Sequence, residues 1–510
     1  MPATPRDPDA ALTDRPAEAP TAAPADSQAG GSVAAARRRL AAALLQLNPA
    51  VGELGRLFAA AGHELALVGG PVRDAVLGRI APDLDFTTDA HPDVTERLLA
   101  GWAHAHWDIG KEFGTIGARR GDVVVEVTTY RSERYDPDSR KPTVAFGDSL
   151  EGDLRRRDFT VNAMAVRLPA MTFVDPHDGL GDLVAGVLRT PGTPQDSFTD
   201  DPLRMMRAAR FAAQLGLAAT PDVVVAMTEL APRLRIVAAE RVRVELEKLL
   251  LGSRPRRGLE LMVGTGLADV VLPELPALQL EVDEHHRHKD VYEHTLTVLD
   301  QAIGLEDGPD GDVPAPDLVL RLAALLHDVG KPGTRRFEPG GGVSFHHHEV
   351  VGAKLTARRM RELRFDKDTV RKVSRLVELH LRFPGYGEAG WTDSAVRRYV
   401  TDAGPLLTRL HRLTRADCTT RNRRKAERLE WAYDDLEARI ATLAAKEELD
   451  AVRPDLDGNA IMELLGIPPG RDVGRAWAFL KELRLERGPL PREDAEAALL
   501  AWWNEAGPRS

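Results

Sequence analysis

The sequence predicts an α+β multidomain protein, a small head of mixed sheet and helices followed by a long all-helical remainder. Three observations predict it. Short apolar and β-branched runs bounded by turn residues, "ELALVGG", "DLDFTT", "GTIGARR" and "DVVVEVTTY", all fall between residues 35 and 180. From about residue 181 helical periodicity takes over, as in "DPLRMMRAARFAAQLG", which stops at Gly216, a helix C-terminal signal. The chain has 510 residues, 43% of them hydrophobic, enough for about three or four domains with real cores.

Taken in order, residues 1–34 are Ala, Pro, Asp and Ser with almost no large apolar side chains, which predicts a disordered tail. "RRRLAAALLQL" at Arg37–Leu47 has the look of a secretion signal. It lies well inside the chain and runs into polar sequence, so it predicts an amphipathic first helix. "AAERVRVELEKLL" predicts a further helix, and "GLEDGPDGDVPAP" at 304–316 a loop between two helices. No apolar run is long enough to span a membrane, so no membrane partner is expected. The single cysteine, Cys418, excludes an intrachain disulfide and fits a reducing, cytoplasmic setting. The net charge of −10 argues weakly against a nucleic-acid binder, but local stripes such as "DLRRRDF" and "HRLTRADCTTRNRRKAER" decide that question better.

The first candidate site lies in "LVGGPVRDAVLGRIAPDLDFTTDA". Asp83 and Asp85 stand at i and i+2 in a predicted strand, so both carboxylates share one face. Unpaired, they would repel; a divalent cation between them removes the conflict. An isolated D-x-D is commonly a solvated acidic edge. Here it follows Gly69 and Gly70, which end a strand, precede a helix and let backbone N–H groups approach phosphate oxygens, with Arg73 and Asp74 on the first turns of that helix. Glu126, a lone acid among valines in "VVVEVTT", is the candidate third carboxylate, because such a group is costly unless paired or metal-bound. The set suits two-metal transfer from a nucleoside triphosphate.

"GGPVRDAVLGR…DLDFTT", "RRRDFTVNAMA" and "DPLRMMRAARFAAQLG" together resemble the class II tRNA nucleotidyltransferase and bacterial poly(A) polymerase family, which has a polymerase-β-like head. The resemblance covers residues 50–275, and more weakly "DGNAIMELLGIPPGRDVGRA". It implies a catalytic pair Asp83 and Asp85 holding Mg2+. Arg156, Arg157, Asp158 and Asn162 would serve the ribose and triphosphate. Asp201 and Arg204 would read the base of CTP or ATP, with Arg207 and Arg210 further along the same helix completing the nucleotide-binding set. Asp200 stands where the family has Glu. Arg241 and Glu245 are expected to brace the base-reading helix. The polar loop "TTYRSERYDPDSRKPTVAF", with Asp136, Asp138, Arg140 and Lys141, is full length, which favours complete C-C-A or A addition over C-C alone.

Nine of the 15 histidines lie between residues 285 and 380, a density that core packing does not explain. The run "YEHTL", "LLHDVGK", "FHHHE", "ELHLRF" and "RADCT" resembles the all-helical HD phosphohydrolase superfamily. That resemblance implies metal ligands His294, His327, Asp328, His348, His380 and Asp417. Asp328 would bridge two metals and Lys331 would touch phosphate. Imidazole plus carboxylate suits a divalent transition metal or Mg2+. The expected activity is a phosphatase, 2′-nucleotidase or 2′,3′-cyclic phosphodiesterase.

The expected organisation is therefore a tail at 1–34, a head at 35–180 and a helical neck at 181–280. An HD domain at 281–425 and a helical, tRNA-binding tail at 426–510 complete it. The expected function is CCA addition to tRNA, gripped through its acceptor–TΨC half; the alternatives are poly(A) polymerase and A-only addition. The oligomeric state is not legible in the sequence.

Overall fold

The computed structural model describes residues 33–45, 49–79, 83–134, 143–146, 149–279, 290–307, 313–339, 342–386, 391–420, 422–447 and 453–506. Most of the expected N-terminal tail, the loop residues Asp136, Asp138, Arg140 and Lys141, and 308–312 of the Gly/Pro/Asp loop lie outside them. The chain divides into two compact units, one comprising residues up to Tyr130 with Phe146–Leu154 and Thr160–Gly186, the other Arg131–Ala145, Arg155–Phe159 and everything from Val187.

The first unit is built on a seven-stranded sheet. Its strands are β1 (Leu65–Val68), β2 (Asp83–Thr88), β3 (Ala105–Trp107), β4 (Thr115–Arg120) and β5 (Val123–Thr129). A separate pair, β6 (Arg131–Arg134) and β7 (Thr143–Phe146), precedes the last two sheet strands, β8 (Ala165–Leu168) and β9 (Thr172–Val174). The order is β3-β4-β5-β2-β1-β8-β9, with β2 and β5 parallel and every other pairing antiparallel. Strand β1, "LALV", is buried along its whole length, as a central strand covered on both faces must be. Ala66 and Val68 pack with Tyr130, Leu150, Leu154 and Ala163. Gly69 then turns the chain into the Gly70–Val76 helix at φ 72°, ψ −131°, a conformation that a side chain would strain. Its N–H bonds the Met164 carbonyl at 3.3 Å.

The second unit is dominated by helices. Leu203–Leu215 ends on Gly216 at φ 69°, in the left-handed region, where the sequence placed its stop. It packs against Ala239–Leu250 and Pro255–Gly264; at Gly258 an added Cβ would stand 2.5 Å from the Ala209 carbonyl oxygen, so that crossing requires glycine. Glu306 and Arg321 form a buried bidentate pair at 2.6 and 2.7 Å. Arg321 also donates to the Leu250 and Gly252 carbonyls at 2.6 and 2.8 Å, tying the Leu318–Leu326 helix to the end of Ala239–Leu250. The last helices, Gly458–Leu465, Arg471–Arg487 and Arg492–Ala506, enclose Ile461, Ala476, Leu480 and Leu499. Among the described residues no helix is long and apolar enough to cross a membrane.

Candidate active sites

In the head, β2 alternates as its sequence predicts: Leu84 and Phe86 are buried, Asp83 and Asp85 exposed. Parallel pairing with β5 sets Glu126 directly beside Asp85, and Glu126 is likewise exposed while Val125 and Val127 are buried. Three carboxylates thus line one face of two neighbouring strands. Partial burial, and then the negative charges of Asp85 and Asp83, push the Glu126 carboxyl above its ordinary value. An all-oxygen, like-charged set of this kind fits a hard divalent cation, which would neutralise the repulsion and polarise phosphate oxygens. Arg73 donates to Asp74 at 3.0 Å and to the Asn162 side-chain oxygen at 2.8 Å, so two residues expected to serve the nucleotide are held together. Gly70 is partly exposed at the start of its helix.

In the second unit, the base-reading candidates are locked into a polar ladder. Arg204 is buried and donates to the Ser197 hydroxyl at 2.9 Å and to the Arg156 carbonyl at 2.7 Å. It thereby anchors the segment carrying Arg156, Arg157 and Asp158. Asp158 accepts from the Phe159 N–H at 2.8 Å and pairs with Arg207 at 2.8 Å. Arg210 pairs with Glu245 at 3.0 Å and lies 4.3 Å from the centre of the Phe211 ring. Asp201 accepts from the Leu203 N–H at 3.1 Å, and its other oxygen lies 3.5 Å from Arg241. Arg241 and Glu245 therefore both contact the base-reading segment. Ser197, which orients Arg204, was not singled out from sequence; a Ser seven residues ahead of an Arg carries no local signal.

The histidine-rich region converges in the same unit, and each candidate ligand sits at or near a helix end. His294 lies in the first turn of Val291–Gly304, His327 and Asp328 follow Leu318–Leu326, and His348 opens His348–Glu362. His380 follows Lys367–Leu379, and Asp417 closes Leu407–Asp417. Among the described residues two groups of three bring ligand atoms within 4.8 Å of one another: His294, His327 and Asp417, and Asp328, His348 and His380. Asp328 spans both groups, one oxygen 3.2 Å from His327 Nε2, the other 3.3 Å from His348 Nε2. Lys331 Nζ lies 2.9 Å from Asp328.

Orientation of the rings argues for metal. The Nδ1 atoms of His327, His348 and His380 each lie 2.7–2.9 Å from the carbonyl three residues back, Ala324, Phe345 and Val377. A carbonyl only accepts, so Nδ1 carries a proton and Nε2 is the nitrogen that faces inward, a metal donor once it is itself free of a proton. All three Nε2 atoms are buried without a directed hydrogen bond. Buried polar atoms left so are rare unless a ligand completes them, and this outer support is what histidine metal ligands require. The fourth ring, His294, has Nδ1 3.1 Å from Thr419 Oγ1, a support the sequence reading missed although Thr419 lies two residues past Asp417. Burial opposes charge on His327, but Asp328 and Asp417 prevail and raise it to about 10. Burial, and then the charge of His327, lower His380 to about 4. Cys418 has no assigned part; burial raises its thiol.

Three family models match the chain: the poly A polymerase head domain over residues 65–189, the probable RNA and SrmB-binding site of polymerase A over 216–278, and the HD domain over 291–444. An A-adding tRNA nucleotidyltransferase of Deinococcus radiodurans is 36% identical over 452 residues, 86% of this chain and 96% of that one. The chain belongs to the tRNA nucleotidyltransferase and poly(A) polymerase family. It is a nucleotidyltransferase chain that also carries an HD domain. A CCA-adding enzyme of Leuconostoc mesenteroides is 44% identical over 222 residues, 43% of this chain but 53% of that enzyme, so this match spans about half the relative's length. In fold, the chain resembles the CCA-adding enzyme of Bacillus stearothermophilus in complex with CTP, at TM-score 0.62 and 24% identity, over 90% of this chain and 99% of that one. It also resembles the Thermotoga maritima CCA-adding enzyme complexed with tRNA, at TM-score 0.58 and 17% identity, over 91% and 98%. Both nucleotidyltransferases of this family and HD proteins are metal-dependent, in keeping with the two candidate sites.

Proposed function

We propose that this chain adds C-C-A to tRNA 3′ ends from CTP and ATP. The observation that carries the reading is the placement of Asp83, Asp85 and Glu126 on one face of paired strands. Mg2+ held there would activate the attacking hydroxyl and offset charge on the leaving pyrophosphate. Gly69, Gly70, Arg73 and Asn162, with Arg156, Arg157 and Asp158, serve the triphosphate and ribose. Asp201 and Arg204 select the base, Arg207 and Arg210 further along the same helix complete the nucleotide-binding set, and Arg241 and Glu245 brace that helix. The HD site, with His294, His327, Asp328, His348, His380 and Asp417, hydrolyses phosphate esters at damaged RNA 3′ ends once loaded with a divalent metal. Neck, HD domain and tail divide the second unit near residues 280 and 425, and the setting is cytoplasmic.

The tRNA partner is gripped by phosphate contacts and shape. A contributing surface is the helix Arg423–Glu447, where Arg424, Arg428 and Trp431 recur at helical spacing on one face and Trp431 is 68% exposed. The deciding experiment supplies purified protein and Mg2+ with a tRNA transcript lacking its terminal CCA, and CTP and ATP singly and together. Ordered addition that stops at C-C-A is expected. A second reading, A-only addition, is favoured by the name of the Deinococcus relative. It would appear as addition of A only to transcripts already ending in CC. An unlimited A tail would instead mean a poly(A) polymerase.

A further inference from the structure

We propose that the hairpin beside the histidine/aspartate site carries a nucleobase-stacking platform, with Phe337 as the stacking ring, so that this site takes nucleotides and RNA ends in preference to simple phosphate esters. The inference rests on the reading of that site as a phosphohydrolase and names its substrate class. The hairpin pairs Arg336–Phe337 with Val343–Ser344, Phe337 opposite Val343. Phe337 is 73% exposed, the most exposed phenylalanine or tryptophan among the described residues. Its neighbour in the strand, Arg336, is also exposed. The Arg335 guanidinium lies 4.7 Å from the ring centre, and its Nε is buried without a hydrogen-bond partner among the described residues. The guanidinium is thus committed to the ring, a cation–π contact that supports one face and leaves the rest of the ring in solvent.

Position gives this ring its meaning. The chain enters the hairpin from Lys331–Thr334, whose Lys331 ammonium touches Asp328 at 2.9 Å. It leaves the hairpin into the helix whose first residue is the ligand His348. Lys331 also lies 5.7 Å from the ring of Phe345, between hairpin and ligand. In the chain the hairpin therefore lies between Lys331 and the candidate ligand His348. A solvent-facing aromatic ring with two adjacent arginines matches a flat base joined to an anionic backbone, the pairing used wherever single-stranded nucleic acid is held without reading its sequence. A lone exposed phenylalanine would be unremarkable elsewhere on the surface; here it is backed by a cation and lies in the chain between Lys331 and His348.

The test uses the full chain loaded with Mn2+ and measures phosphate released from adenosine 2′-phosphate and from glycerol 2-phosphate, which has no base. For Phe337→Ala the KM for the nucleotide should rise about 5- to 100-fold with kcat little changed. Glycerol 2-phosphate kinetics should not move, and Phe337→Tyr should restore the nucleotide KM. An unchanged nucleotide KM, or equal rises for both substrates, overturns the proposal. If the wild type hydrolyses neither ester, the phosphohydrolase reading falls. The platform is then decided by binding of 2-aminopurine riboside 2′-phosphate, whose fluorescence stacking quenches. Quenching lost in Phe337→Ala and retained in Phe337→Tyr supports it. Equal quenching in all three proteins, or none in the wild type, overturns it.

Discussion

Glu126 concentrates the electrostatics of the head in one side chain. Its carboxyl is raised above the ordinary value of 4.5 by burial and by Asp85 and Asp83. Between that ordinary value and the raised one, the folded head binds more protons than the unfolded chain. Without a cation, stability therefore falls as pH rises through that window. Thermal melts should find that Mg2+ raises Tm more at pH 8 than below pH 4.5. Glu126→Gln should raise the metal-free Tm at pH 8 and shrink the Mg2+ gain. An identical Mg2+ gain in wild type and variant would remove Glu126 from the metal set. A second residue-scale expectation concerns Thr419, whose hydroxyl supports His294 Nδ1 at 3.1 Å. Thr419→Val should weaken metal binding at the HD site about tenfold, read by metal titration, and leave nucleotide addition unchanged.

At the scale of elements, close crossings position the ligands. Gly330 precedes the Lys331–Thr334 helix and lies against the start of His348–Glu362; an added Cβ would stand 2.1 Å from the His348 carbonyl oxygen and 2.7 Å from the Gly352 nitrogen. Neither backbone atom can swing away as a side chain tip can. Gly330→Ala should cost about 1–3 kcal/mol of stability in denaturant unfolding and displace His348, lowering HD activity with it. Arg321, on Leu318–Leu326, joins Glu306 in the turn after Val291–Gly304 to the carbonyls at the distant end of Ala239–Leu250. Arg321→Met leaves Glu306 charged and buried, and should cost about 3–5 kcal/mol; adding Glu306→Gln should recover part of that. A loss below about 1 kcal/mol would place the pair among dispensable ones.

At the scale of the whole molecule, two candidate metal sites reside on one chain. The head carboxylates belong to the first compact unit and the six candidate HD ligands to the second. Asp83→Asn with Asp85→Asn should lower nucleotide incorporation by more than about 100-fold, since direct ligands matter at least as much as their supports. Phosphate release should persist in that variant. His327→Ala should do the reverse. Loss of both activities in either variant, with folding intact by circular dichroism, would mean that the two sites depend on one another.

Much of this was legible from residue spacing. Strand period 2 placed Asp83 and Asp85 on one face while burying Leu84 and Phe86, because successive strand side chains must point oppositely. Gly216 marked a helix end because glycine readily takes a positive φ. The order of His294, His327, Asp328, His348, His380 and Asp417, once matched to a family pattern, named six residues that the fold gathers into two groups able to hold a metal. Other features depend on which distant segments meet. The register that sets Glu126 beside Asp85 comes from pairing strands about 40 residues apart, with β3 and β4 between them. The bonds that engage Arg204, the support of His294 by Thr419 and the Arg335–Phe337 stack leave no periodic trace. Sequence alone determined the chemistry available on each face, since side-chain direction along a strand or helix follows from local backbone geometry. Tertiary structure alone decided which faces meet, because a distance across the fold depends on the packing of every element between.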